Sequence, residues 1–151
     1  LVFPVTATVL WKKNKRKTDP IYKLGDTISR NINRSLKGSK NGAPWEKLVG
    51  YSLQEFKAHL ESKFTKGMTW ENYGKFWHID HIIPLVYFKY DSADHPAFKA
   101  CWALSNLQPL WATTKIAVSH GENKDYVGNL DKNKNIVITK EIQKFLDSVN
   151  I

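Results

Sequence analysis

The sequence predicts an α+β fold, and three observations carry the prediction. Apolar residues recur at three- and four-residue spacing over 21–36, 53–64 and 142–149, the mark of helices with one buried face. Two short apolar runs, 76–83 and 107–111, read as the strands of one hairpin. The chain has 151 residues, 42% of them hydrophobic and six of them Trp, enough for one packed domain with an extension.

The elements follow in order. Residues 1–10 (LVFPVTATVL) are apolar but too short to span a bilayer and contain Pro4. No basic segment precedes them, so they make a poor signal peptide; a strand or a piece of a preceding domain is expected, and the absence of an initial Met suggests a start further upstream. Residues 12–17 (KKNKRK) form an exposed basic run. Ile21, Leu24, Ile28, Ile32 and Leu36 define an amphipathic helix with Lys23, Arg30, Arg34 and Lys37 on its polar side. Ser52 and Glu55 form a capping-box pattern, so a helix should run to about Lys63 and bury Leu53, Phe56, Leu60 and Phe64. Residues 65–75 read as a structured loop, 76–83 as a strand whose pairing Pro84 limits, and 86–98 as a second loop. A short helix is expected over 97–104, the second strand over 107–111, a helix over 112–120 that stops at Gly121, and a C-terminal helix over 139–149.

Charge separates the chain into two parts. Residues 1–45 hold ten Lys or Arg against Asp19 and Asp26, whereas the other 106 residues hold thirteen against twelve. Most of the net charge of +9 therefore belongs to one end, as expected of an arm that meets a polyanion. Arg30 and Arg34 lie on one helix face and suit phosphate contacts. The single cysteine, Cys101, excludes a disulfide within the chain and a Cys-based structural zinc site, and fits a reducing, intracellular setting.

The chemically unusual stretch is Trp77-His78-Ile79-Asp80-His81-Ile82-Ile83-Pro84-Leu85. An Asp and a His inside an apolar strand are costly unless something satisfies them, and a divalent ion with a phosphate would do so. His81 is suited to accept a proton near neutral pH. Adjacent strand residues point to opposite faces, so Asp80 and His81 serve one site only if the strand bends or the ion sits at its edge. Downstream come Ser105-Asn106-Leu107-Gln108-Pro109-Leu110-Trp111 and Gly128-Asn129-Leu130-Asp131-Lys132.

This order of motifs resembles the HNH, or ββα-metal, endonucleases. The segment Gly67-Met68-Thr69-Trp70-Glu71-Asn72-Tyr73-Gly74, followed by His78-Ile79-Asp80-His81 and by 106–112 (NLQPLWA), is similar to a subgroup common in phages and bacteria. The similarity covers about residues 22–134. It implies a ββα-metal core with a basic helical extension before it and a C-terminal helix after it. The corresponding division is 1–20 for the arm or remnant, 21–135 for the nuclease domain with its helical DNA-binding part, and 136–151 for the last helix.

The resemblance also implies roles. His81 would be the general base, Asp80 a metal ligand, and Asn106 the residue that holds the loop and orients the His81 ring. The second metal ligand is less direct. Relatives follow NLQPLWA almost at once with Asn-Leu-x-Lys, where this chain has Thr113-Thr114-Lys115. Residues 113–128 are accordingly read as an insertion and Asn129 as the ligand, with His120 as the alternative. His78, Lys132 and Lys134 are candidate phosphate contacts. The implied activity is hydrolysis of DNA phosphodiesters with one divalent ion, Mg²⁺ first and Mn²⁺ next, by a bacterial or phage protein, in a defence role among others. The alternatives are a non-catalytic nucleic-acid-binding module and the nuclease part of a larger guided complex. A homodimer is compatible with either, and no membrane partner is expected.

Overall fold

The computed structural model describes residues 6–38, 40, 42–132, 134 and 136–151. Thr6 opens helix α1 (Ala7–Thr18) by accepting the Val9 N–H on its hydroxyl at 3.2 Å. The strand expected over 1–10 is therefore replaced by helix from Ala7 onward, and residues 1–5 lie outside the described part. The Lys and Arg that follow are good helix formers, and those of the last turn sit where the helix dipole favours cations. Asp19 ends α1 and begins α2 (Pro20–Ser35), its carboxylate accepting the N–H groups of Ile21 and Tyr22. Helix α2 buries Leu24, Ile28 and Ile32, and Leu36 just beyond its end is buried with them. By contrast α1 buries nothing; it lies along α2 through Trp11 edge-on to Tyr22 and an Arg16–Asp26 ion pair at 3.3 Å.

A five-residue helix, α3 (Trp45–Val49), precedes α4 (Leu53–Ser62). Ser52 caps α4 through the Glu55 N–H, as its sequence pattern requires. Glu46 of α3, rather than Glu55, brings a carboxylate to this end and accepts the Leu53 N–H at 2.8 Å. The two strands, β1 (Trp77–His81) and β2 (Leu107–Trp111), pair antiparallel with Trp77 opposite Trp111, Asp80 opposite Gln108 and His81 opposite Leu107. Between them run α5 (Pro96–Cys101) and two short 3₁₀ turns, Leu85–Tyr87 and Leu104–Asn106.

Trp77, Trp111 and Leu107 are fully buried with Phe56 and Leu60 of α4 and Phe98 of α5. The 65–75 loop meets the polar ends of both indoles: Trp77 Nε1 donates to Thr69 O and Trp111 Nε1 to Thr65 Oγ1. Phe64, Trp70 and Tyr73 surround Trp77 with ring centroids 4.8 to 5.4 Å away. The hairpin is thus anchored by aromatic packing, each such pair adding about 1 kcal/mol beyond its area.

After β2 come α6 (Thr114–Ser119), α7 (Asn129–Lys132) and α8 (Lys140–Val149). A Cβ at Gly128 would collide with the Thr113 backbone and stand 2.7 Å from Thr114 N, so the two chain segments touch where only glycine fits. Leu130 N–H donates to Ala112 O, and the Thr114 N–H and hydroxyl both donate to Asp131 Oδ2. The segment read as an insertion therefore leaves and returns at one point, and α7 begins beside the end of β2. Helix α8, capped by Thr139, buries Leu146 and packs on α5, while Asn150 bonds Lys89 N and Tyr87 O across the 86–98 loop. Among the described residues no helix is long and apolar enough to cross a membrane.

Candidate functional site

The site forms at the end of β1 that lies away from the tryptophan pair. Asp80 is only 3% exposed, and both of its hydrogen bonds fall on Oδ2, one from Gln108 Nε2 and one from Lys132 Nζ, each at 2.8 Å. Gln108 reaches it because the antiparallel register sets the two residues opposite each other. Lys132 reaches it from α7, and its ammonium also donates to the His81 carbonyl at 2.7 Å. The expected phosphate contact at Lys132 is thus, in this structure, a cation seated between the Asp80 carboxylate and the β1 backbone.

His81 follows Asp80 and packs edge-on to Trp102 at 4.6 Å. Its Nε2 is buried and has no hydrogen-bond partner among the described residues. Burial, and secondarily the Lys132 charge, pulls the imidazole pKa down to about 4, so the ring is neutral at neutral pH. Ile79, Asp80, His81 and Asn129 share an open pocket of about 240 Å³ with Pro84 and Leu85.

Asn106, 7% exposed, acts on the backbone beyond His81 rather than on the ring. Its Oδ1 accepts the Ile83 N–H, its Nδ2 donates to Ile83 O and Cys101 O, and its carbonyl accepts the Ile82 N–H. Pro84 follows directly, so the chain leaves β1 in one fixed direction. Three of the four residues expected to act together, Asp80, His81 and Asn129, line one pocket, and Asn106 holds the turn beneath it.

His120 stands elsewhere. It stacks on Trp111 at 4.3 Å and approaches Phe76, and its Nδ1 lies 2.9 Å from Ile116 O. Trp111 pairs with Trp77 at the opposite end of the hairpin from Asp80. His78 is half-buried, and its pKa is lowered by burial and by Lys23. Arg30 pairs with Asp26 at 3.1 Å on the surface of α2, Arg34 is exposed in the last turn of α2, and Lys134 is exposed just past α7. Sequence reasoning missed Gln108 as a partner of Asp80; the hairpin register, had it been fixed, would have identified it.

A divalent ion would find two hard oxygen donors in this pocket, the Asp80 carboxylate and the Asn129 amide. Magnesium is commonly held by one or two carboxylates, with water and phosphate completing its shell, so these residues suit it once Lys132 withdraws. Among the described residues no cluster of three or more His, Cys, Asp or Glu side chains could hold an ion.

A second electropositive region lies between α1, α2 and the 65–75 loop. Lys13, Arg16 and Lys17 of α1, Lys23 of α2 and Lys75 line a groove of about 440 Å³, with Glu71 its acidic member. The basic arm is thereby one wall of an open groove whose other walls are α2 and the 65–75 loop.

No protein-family model matches the chain, and no solved structure does. The chain is 34% identical over 140 residues to uncharacterized protein L246 of Acanthamoeba polyphaga mimivirus, a match covering 91% of this chain and 59% of that protein. It is 28% identical over 98 residues to uncharacterized protein L426 of the same virus, covering 65% of this chain and 42% of that one. The chain therefore spans only part of the length of both relatives.

Proposed function

We propose that this chain is a metal-dependent endonuclease domain of the HNH type that hydrolyses DNA phosphodiester bonds. The observation that carries the reading is the neutral His81 ring, which lines a pocket with Asp80 and Asn129 and whose Nε2 has no hydrogen-bond partner among the described residues. A neutral imidazole lining a pocket beside a carboxylate can accept a proton, and the donor required by hydrolysis is water. His81 takes the water proton as the oxygen attacks phosphorus. The phosphate's negative charge beside the ring raises its basicity from the depressed resting value. The 3′ oxygen leaves, giving 5′-phosphate and 3′-hydroxyl ends.

Asp80 and Asn129 would hold the ion, which when bound supplies neutralisation of the phosphate charge and of the leaving oxygen. Asn106 positions the turn after His81 through its bonds to Ile83. Lys132 is then free to move from Asp80 to the phosphate. The groove of Lys13, Arg16, Lys17 and Lys75 neutralises the flanking backbone.

The test is cleavage of supercoiled plasmid with Mg²⁺ or Mn²⁺, with DNA binding measured in parallel. Nicked product from the wild type, lost in His81→Ala, in Asn129→Ala and with chelator, supports the reading. The Lys132–Asp80 pair favours a second reading, a nucleic-acid-binding module whose metal position is filled by its own lysine. Binding without cleavage under every metal, in this chain and in a longer protein containing it, would select that alternative.

A further inference from the structure

A separate concavity of about 340 Å³ opens between α2 and β1. Its polar lining is Lys23, Thr27 and Asn31 from α2 and His78 and His81 from β1; its apolar walls include Phe56, Tyr73 and Trp102. Among the described residues no Asp or Glu lines it. Such a volume, apolar and aromatic with a few convergent polar groups, is the usual form of a small-ligand site.

Two features bias the ligand. Lys23 is held in place: its ammonium lies 3.5 Å from Tyr73 O and 5.3 Å from the Tyr73 ring centre. It crosses Gly74, where a Cβ would collide with it and where φ is +81°. Among the described residues it forms no ion pair with a carboxylate. The other feature is His81, which lines this pocket as well as the Asp80 pocket and whose Nε2 is buried without a partner among the described residues. A fixed cation without an anion calls for a negatively charged group. The small exposed parts of Tyr73 and Trp102, beside Asn31 and Thr27, call for a flat ring with hydrogen-bonding edges. Inorganic phosphate would leave the aromatic wall unused, and an apolar molecule would strand Lys23.

We propose that the pocket between α2 and β1 receives one unpaired nucleotide of a nucleic-acid strand, its base against the aromatic wall and its phosphate at Lys23. Lys23 and Tyr73 also line the basic groove of α1, so the groove and the pocket meet at these two residues and a strand lying in the first can place a nucleotide in the second. The inference rests on the nuclease reading only for the polymer to which the nucleotide belongs. Its test omits divalent ions, so a failure of cleavage and a failure of nucleotide capture are separate results.

In chelator, the protein is titrated into a single-stranded oligonucleotide carrying one central 2-aminopurine, into the same strand fully paired, and into free 2-aminopurine deoxynucleotide, with inorganic phosphate as competitor. A saturable emission change with the single strand is expected, with binding at least tenfold weaker to the duplex. Free nucleotide should give the same emission change at higher concentration. Lys23→Met and Asn31→Ala should each weaken the emission response tenfold or more without altering thermal unfolding. Lys13→Met, which alters the groove alone, should lower affinity and leave the saturating emission unchanged. Equal binding of paired and unpaired strands, an emission response untouched by both pocket variants, or displacement by inorganic phosphate as effective as by nucleotide would overturn the proposal.

Discussion

Replacing Lys132 by Met tests the most constrained contact in the site. The substitution keeps the length of the side chain and removes its charge, leaving the Asp80 carboxylate buried with Gln108 as its remaining partner. Removing one partner of a buried ion pair costs about 3–5 kcal/mol. Lys132 is 18% exposed and Gln108 stays, so the loss falls at or just below the bottom of that range, about 2–3 kcal/mol. For a chain of this size that lowers the thermal midpoint by roughly 5–10 °C. Asp80→Asn/Lys132→Met, which removes the stranded charge as well, should recover most of the loss. The same logic predicts a response to metal. An ion at Asp80 must displace Lys132 in the wild type but not in the variant, so Mg²⁺ should raise the midpoint of Lys132→Met more than that of the wild type. Saturation a hundredfold above the dissociation constant is worth about 2.7 kcal/mol. Unfolding by heat and by urea, with and without Mg²⁺, reads both effects. A loss below about 1 kcal/mol together with an equal metal response in both proteins would refute the argument.

Two further outcomes follow from the geometry. The His81 pKa falls from about 6.5 unfolded to about 4 folded, so the unfolded chain binds the extra proton between these values. His81 therefore lets stability stand in full above about pH 6.5, removes it as pH falls toward 4, and changes nothing further below; the loss is up to about 3 kcal/mol. The difference in urea stability between wild type and His81→Gln, measured from pH 8 to pH 4, isolates it, and a flat difference would show that the ring is not held neutral. Gly128→Ala should cost more than Gly121→Ala. At Gly121 the added Cβ meets open space and only the positive φ is penalised, about 1 kcal/mol, whereas at Gly128 it strikes the Thr113 backbone and pushes α7 from β2. Equal losses on urea unfolding would mean that the contact yields freely.

Local patterns were the most legible in the sequence. The spacing of Leu24, Ile28 and Ile32, the Ser52 cap and the apolar runs around Asp80 and Leu107 each depend on residues close together in the chain, and each recurs in the structure as α2, α4 and the hairpin. Helix α1 was hidden because it buries no residue; it has no apolar face to betray it, only the cap at Thr6 and the charge of its last turn. Helix α3 is too short to show a period. At the site, Asp80, His81 and Asn106 could be singled out because polar residues in apolar runs are conspicuous. The Lys132–Asp80 bond joins residues 52 apart and depends on α7 docking against β2, which no local pattern records. The choice between Asn129 and His120 was open for the same reason. Proximity in sequence favoured His120, yet its ring stacks on Trp111, while the return of the chain at Gly128 carries Asn129 to the pocket.

That return has an evolutionary corollary. Because the backbone at Gly128 touches the backbone at Thr113, the intervening stretch closes on itself, anchored to the core by Ala117 and by His120 on Trp111 while residues 123–125 face solvent. The entropy of closing such a loop rises only logarithmically with its length, by about 0.6 kcal/mol per doubling. The solvent-facing residues 123–125 can therefore change in length at small thermodynamic expense without moving the Gly128–Thr113 contact.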